Sequence, residues 1–268
     1  MHAVLSRFSL GAALVLVSQP ASAIRPFVTD DARVVGQGYA QLESWVLVNR
    51  LALEHSNLFA LGPTDWLEVT AGFVHGGVYH GPDRGYSFTG PILQAKALLL
   101  PAENNGLPGL AVAGGALAPY GGGPLTSPGW GGFGYLALTE SLNEEAILIH
   151  ANVGFAVADP RSSRSGIGEP AAGGFQGTIT LGLGTQIRVA GGLHGIAEIY
   201  YGDPYDASFT FPASQVGARY IFSDHVQMDS TLGTTLTGVT SEDHLTQTEQ
   251  WGTLGIRLVT PELWNRGN

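Results

Sequence analysis

The sequence predicts an all-β protein, a transmembrane antiparallel up-and-down β-barrel of about 12 strands. Three observations favour this fold class. The chain begins like an exported protein, apolar and polar residues alternate along most of its length, and only 13% of the residues are charged, about half the usual ~25% of a soluble domain. After the first 23 residues, no apolar run reaches the ~18 residues of a membrane helix.

The alternation is strictest in residues 175–203. On the first arm of this stretch, Ile179 and Leu181 point to one face, whereas Thr180 and Gly182 point to the other. This period of two is the signature of a β-strand. Each arm has about a dozen residues, close to the ~9 to 11 tilted residues that cross a bilayer. The stretch therefore predicts a transmembrane hairpin.

The register of this hairpin follows from the requirement that facing residues point to the same side of the sheet. Arg188 should face His194 and Val189 should face Leu193, which leaves a three-residue loop.

The N-terminus has the features of a secretory signal peptide. Residues 1–23 contain the basic Arg7, an apolar run at 8–17 and the small residues Ala21-Ser22-Ala23 at a cleavage site. Their removal changes the formal net charge from −10 to −11, because Arg7 is the one charged residue they hold. Such an acidic chain is a poor ligand for nucleic acid. Without cysteine it forms neither a disulfide framework nor a lipid-anchored N-terminal cysteine.

The rest of the chain divides into a lead-in at 24–36, the barrel at 37–259 and a C-terminal tail at 260–268. Short links alternate with long links rich in Gly, Pro, Ser, Asp and Thr, as in barrels whose tight turns face the periplasm. The links between strands one and two and between strands four and five depart from this alternation. The predicted strands are 37–49, 51–61, 66–78, 88–100, 110–118, 132–139, 146–157, 175–189, 193–203, 209–222, 225–235 and 248–259.

Several motifs resemble one known family of outer-membrane proteins. They are RPFVTDDARVVGQGYAQLESW at 25–45, LFALGPTDWLEVTAGF at 58–73, the stretch 94–122 around its QAK motif, NVGF at 152–155 and AEIYYG at 197–202. The family is labelled "MetA-pathway of phenol degradation". The resemblance implies an outer-membrane barrel that passes small molecules, with hydrophobic or aromatic compounds among the candidates. One departure from common barrels is the tail 260–268, which continues past the last strand.

A band of charged residues points to the polar face, near the strand ends on the side of the tight turns. In a narrow barrel such charges are partly desolvated and tend to pair. They predict either a salt-bridged interior that narrows the pore or a selectivity band for a polar solute. The band consists of Glu43, Glu68, Lys96, Arg188, Glu198, Arg219, Asp229 and Arg257.

The lead-in 24–36 also has two interpretations. It folds into the barrel as a plug, with Asp30 or Asp31 meeting a lumenal base, or it hangs in the periplasm.

Motifs of enzyme chemistry are missing from the sequence. The histidines lack HxxxH and HExxH spacing, the glycine clusters lack a following Gly-Lys-Ser/Thr, and no GxSxG elbow occurs. We expect no catalytic residue, no metal, no cofactor and no enzymatic activity.

The function expected from the sequence is a channel or facilitated transporter for small molecules in the outer membrane of a Gram-negative cell. Its partners would be membrane lipids, a small-molecule solute and, during biogenesis, the barrel-insertion machinery. The alternative is a closed structural barrel that binds a partner through its long outer loops. These loops are 76–87, 120–130, 159–174 and 237–247.

Overall fold

A computed structural model describes residues 27–80, 84–126, 129–159, 176–240 and 246–264. The predicted signal peptide therefore lies outside the described residues. Among those residues, no helix is long and apolar enough to cross a membrane.

The described chain forms a closed antiparallel barrel in which each barrel strand pairs with the barrel strands before and after it in the chain, and the first barrel strand closes the sheet against the last. This confirms the predicted twelve-stranded barrel. A separate hairpin, β12 (Val239–Thr240) and β13 (Thr246–Gln247), lies in the link before the last barrel strand. The barrel strands are β1 (Ala40–Asn49), β2 (Ala52–Thr64), β3 (Leu67–Val78), β4 (Gly85–Leu100), β5 (Gly109–Gly122), β6 (Gly131–Leu142), β7 (Ile147–Ala158), β8 (Gln176–Ala190), β9 (Leu193–Tyr201), β10 (Pro212–Ser223), β11 (Val226–Thr235) and β14 (Gln250–Val259).

The wall of the barrel separates apolar from polar side chains by strand parity. On β8, Leu183 points outward and is 51% exposed, whereas Gln186 points inward and is 3% exposed. On β3, Val69 likewise points outward and Glu68 points inward. This is the reverse of a soluble protein, because the side chains away from solvent are largely polar and the outer face is apolar.

The two ends of the barrel differ in their connections. At one end, which we call the short-turn end, lie the tight links 65–66, 143–146, 191–192 and 224–225, and the longer link 101–108. The segment before β1 and the segment after β14 lie there too, since Thr260 donates to the carbonyl of Ala40. The opposite end, which we call the long-loop end, carries the long links and the short turn at 50–51.

The hairpin between β8 and β9 corrects one predicted detail. Arg188 faces His194 as expected, but Ala190, not Val189, pairs with Leu193. The register shifts at Val189, and the turn has two residues. A two-residue turn suits a strand pair when glycine supplies a positive φ, here 53° at Gly191. The extra residue is absorbed as a bulge, which keeps the inward and outward faces in phase.

The turn after β2 also differs from the prediction. Residues 62–65 were expected to form it, but β2 continues to Thr64 and the turn falls at Asp65 and Trp66. A register shift between Leu61 and Thr64 accommodates the added residues. Composition marked the turn region correctly, but strand pairing set its position.

Candidate functional site

The inward charges are arranged as pairs across adjacent strands. Each pair joins an acid to a base that face one another in the strand register, an arrangement that stabilises neighbouring charges on one face of a sheet. All six side chains are at most 8% exposed. The pairs are Glu43 with Arg257, Glu68 with Lys96, and Asp229 with Arg219.

The two remaining charged residues of the predicted band lie in different environments. Glu198 is 5% exposed and lies in the lumen. Arg188 does not join the band, because it is exposed and donates to the carbonyl of Glu144 at 3.3 Å at the short-turn end. Parity gives the direction of a side chain but not its depth, and a long arginine near a turn reaches solvent easily.

The described part of the lead-in runs through the lumen as an irregular segment from Phe27 to Gly36. It begins beside β10, where the guanidinium carbon of Arg219 lies 5.8 Å from the ring centroid of Phe27. It ends beside β2, where the carbonyl of Gly36 lies against Gly62. The segment therefore crosses the lumen from one wall to the other.

Glu198 binds the first part of the lead-in. Its two carboxylate oxygens accept the backbone N–H groups of Val28 and Thr29, each at 2.9 Å. The side-chain amide of Gln215 donates to the same carboxylate at 2.5 Å. Hydrogen bonds to an ionised acceptor are stronger than neutral ones, so this carboxylate anchors the segment.

Further backbone N–H groups of the lead-in donate to side chains of the wall. A segment without a strand partner must satisfy its buried amides in this way, because an unpaired buried amide is costly. The bonds run from Asp30 to Asn152 Oδ1 at 2.5 Å, from Ala32 to Thr139 Oγ1 at 2.8 Å, and from Val35 to Glu68 Oε2 at 2.9 Å.

The acids of the lead-in form ion pairs in the lumen. Lys96 Nζ lies 3.1 Å from Asp30 Oδ2. Arg33 Nη2 lies 2.8 Å from Asp31 Oδ2, and Arg33 Nη1 lies 3.9 Å from Glu145 Oε2. Burial acts to raise the pKa of Asp31, but the positive charges of Arg33 and Lys96 outweigh burial and hold that pKa below its ordinary value.

The link between β9 and β10, residues 202–211, enters the lumen from the long-loop end. Its Tyr205 is 9% exposed, donates to Gln94 Oε1 at 2.8 Å and packs edge-to-face on Phe133 at a centroid distance of 4.8 Å. A small cavity of about 30 Å³ remains between residues 204–207 and the wall. Among the described residues, two internal segments thus lie in the lumen, one from each end.

A second small cavity, of about 20 Å³, lies between the two segments. Its charged lining consists of the carboxylates of Asp30, Glu43 and Glu68 and the ammonium of Lys96. Tyr205 lines this cavity from the side of the long-loop end. Within the ranges that the structure describes, no cluster of three or more His, Cys, Asp or Glu side chains could hold a metal ion.

Sequence reasoning missed several lumenal residues that carry hydrogen bonds. Gln94 and Gln215 could have been found, since they share the inward parity of the charges. Tyr135 lies on β6, a strand rich in small residues. Tyr205 lies in a link without periodicity, so the sequence contained no signal for its inward position.

Comparisons with known proteins give structural matches only. No family model matches the sequence, and no curated protein matches it. The structure is similar to the COG4313 outer membrane channel from Pseudomonas putida F1, with a TM-score of 0.59 and 14% identity over 86% of this chain and 98% of that one. It is also similar to the NanC porin, with a TM-score of 0.57 and 6% identity over 82% and 98% of the two chains. A third match is the KdgM porin in complex with disordered oligogalacturonate, with a TM-score of 0.54 and 8% identity over 81% and 98%. The chain therefore has the barrel fold of outer-membrane porins and channels.

Proposed function

We propose that this protein is an outer-membrane channel for small molecules whose lumen is closed by its own lead-in. The observation that carries the proposal is the way in which the lead-in is held. Its amides bind side chains of the wall, not a neighbouring strand, so the segment can leave without opening the sheet. A polar lumen with a removable internal segment suits regulated passage better than a purely structural role.

The proposal includes an orientation and a route of export. The short-turn end faces the periplasm and the long-loop end faces the outside, as in bacterial barrels. Residues 1–23 are removed as a signal peptide, and the barrel-insertion machinery places the remainder in the outer membrane of a Gram-negative cell.

The lining of the lumen restricts the solute. Three carboxylates and one ammonium surround the small cavity between the two internal segments, which disfavours a large polyanion such as the oligogalacturonate that accompanies the KdgM porin. We infer a small solute of low charge. The resemblance to the "MetA-pathway of phenol degradation" family extends this inference to hydrophobic and aromatic compounds.

Conductance in planar bilayers tests the proposal, together with solute flux into liposomes for a panel of small molecules. The variant Lys96→Gln removes the cation that holds Asp30, so it should raise conductance above that of the unchanged protein. Arg84→Gln, at an exposed position outside the strands, is the matched control and should leave conductance unchanged.

The alternative outcome is a closed barrel that acts through its outer loops. It predicts no conductance and no flux for any solute, in the unchanged protein and in Lys96→Gln alike. Deletion of those residues of the predicted loops that fall between the barrel strands, 79–84, 123–130, 159–174 and 237–247, would then abolish binding of a surface partner. That set of results would overturn the channel proposal.

A further inference from the structure

A chain of hydrogen bonds connects the two internal segments of the lumen. At the long-loop side, Tyr205 Oη donates to Gln94 Oε1 at 2.8 Å. At the lead-in, Tyr135 Oη donates to Asp30 Oδ2 at 2.6 Å, and the same hydroxyl lies 3.4 Å from Gln94 Oε1. Lys96 completes the chain at Asp30. Gln94 and Tyr135 are at most 9% exposed, so water competes little for these bonds.

The hydroxyl of Tyr135 has one proton and two acceptors within reach. The distances indicate that the Tyr135 hydroxyl donates to Asp30 Oδ2 while the Tyr205 hydroxyl donates to Gln94 Oε1. If Tyr205 leaves, Gln94 Oε1 loses one of its two neighbouring donors and competes more strongly with the carboxylate of Asp30 for the hydroxyl of Tyr135. A hydroxyl that is shared between Asp30 and Gln94 binds Asp30 more weakly. A single hydroxyl can therefore transmit the position of one segment to the other.

We propose that Tyr205 positions the lead-in through Gln94 and Tyr135, so that the two closures of the lumen are released together. The inference rests on the proposed role of the lead-in as a plug and adds a regulatory input to it. A solute that enters from the long-loop end and displaces Tyr205 loosens the plug from the opposite side. The coupling is reciprocal, as linkage requires, so release of the lead-in also loosens Tyr205.

Single cysteines report the two segments independently, because the chain has no cysteine of its own. Ala32→Cys marks the lead-in and Ala207→Cys marks the loop, and both alanines are at most 8% exposed. The rate at which a bulky maleimide labels each cysteine measures how often its segment leaves the lumen. The refolded full chain is used in detergent micelles, without any solute.

The decisive variant is Tyr205→Phe, which removes the hydroxyl but keeps the ring on Phe133. It should raise the labelling rate of Ala32→Cys about three- to tenfold, the range expected for one neutral hydrogen bond. In a Tyr135→Phe background the same change should have no further effect on this rate. Reciprocally, Asp30→Asn should accelerate labelling of Ala207→Cys.

Tyr220→Phe is the control, because Tyr220 lies on the outer face of β10, is 46% exposed and is outside the hydrogen-bond chain. It should leave the labelling of Ala32→Cys unchanged. The proposal is overturned if Tyr205→Phe accelerates labelling of Ala207→Cys while that of Ala32→Cys stays within twofold of the parent. It is equally overturned if Tyr135→Phe leaves the effect of Tyr205→Phe intact.

Heat-shifted gel mobility confirms that each variant has a folded barrel before labelling. If Tyr135→Phe fails to fold, Gln94→Glu replaces it, since a carboxylate competes with Asp30 for the tyrosine proton and should itself accelerate labelling of Ala32→Cys. Labelling requires neither conductance nor solute. The coupling can therefore fail in a protein that conducts, and it can be present in one that does not.

Discussion

Asp30 and Lys96 form an ion pair across the lumen, with 3.1 Å between carboxylate oxygen and ammonium nitrogen. Lys96 is 1% exposed and faces Glu68 in the β3–β4 register. Removal of one partner from a buried pair leaves an uncompensated charge, which costs more than the pair itself contributes. The lead-in therefore supplies charge balance to the wall.

The carboxylate of Glu198 should decide whether the first part of the lead-in stays bound. Glu198→Gln replaces two charge-assisted hydrogen bonds to the amides of Val28 and Thr29 with one weaker acceptor. We expect this to weaken the binding of the segment by about 1–3 kcal/mol, without affecting closure of the barrel. The measurement is labelling of a cysteine at Ala32, and Glu144→Gln in an exposed turn is the control. Equal labelling of the two variants would show that Glu198 does not anchor the segment.

The absence of a side chain at Gly182 on β8 should also be required for the lead-in to keep its position in the lumen. A Cβ at this position would overlap the side chain of Thr29, whereas a Cβ at Gly184 would meet its nearest atoms at 3.6 Å, an ordinary contact. Gly182→Ala should therefore push the lead-in out of place and raise the rate of cysteine labelling. Gly184→Ala should leave that rate unchanged, although it lies on the same strand and the same face. If the two variants label at the same rate, Thr29 does not lie against this wall.

The barrel was predictable because the signal for it is local. Strand parity needs only neighbouring residues, and it correctly divided Glu68 from Val69 and Gln186 from Leu183. The bulge at Val189 did not disturb the division into inward and outward side chains. The turn between β8 and β9 is one residue shorter than predicted, and the bulge takes up the extra residue.

The internal contacts were not predictable for the opposite reason. Val28 and Glu198 are 170 positions apart, and Asp30 and Lys96 are 66 apart. The lead-in has no periodicity, so nothing in its sequence specifies which wall residue each amide will meet. The inward position of Tyr205 depends on the width of the closed barrel, which no single stretch of sequence encodes.

The buried pair between Arg219 and Asp229 gives the last prediction. Arg219 Nη2 lies 3.6 Å from Asp229 Oδ2, and the two side chains are 3% and 0% exposed. Asp229→Leu alone leaves the guanidinium buried without its counter-charge, so we expect it to lower the free energy of unfolding by about 3–5 kcal/mol. Adding Arg219→Met should restore most of that loss, because an apolar pair of similar volume needs no compensation.

The double variant should regain only part of the lost free energy of unfolding, because Arg219 makes a second buried contact. Arg219 also donates to Gln186 Oε1 at 2.6 Å, and its loss leaves that buried acceptor without this bond, at a cost of about 1–3 kcal/mol. Guanidinium unfolding of the barrel in detergent, followed by tryptophan fluorescence, measures all three proteins. If Asp229→Leu is neutral and the double variant is the least stable, the pair does not compensate charge in the lumen, and the hydrogen bond to Gln186 is the stabilising contact of Arg219.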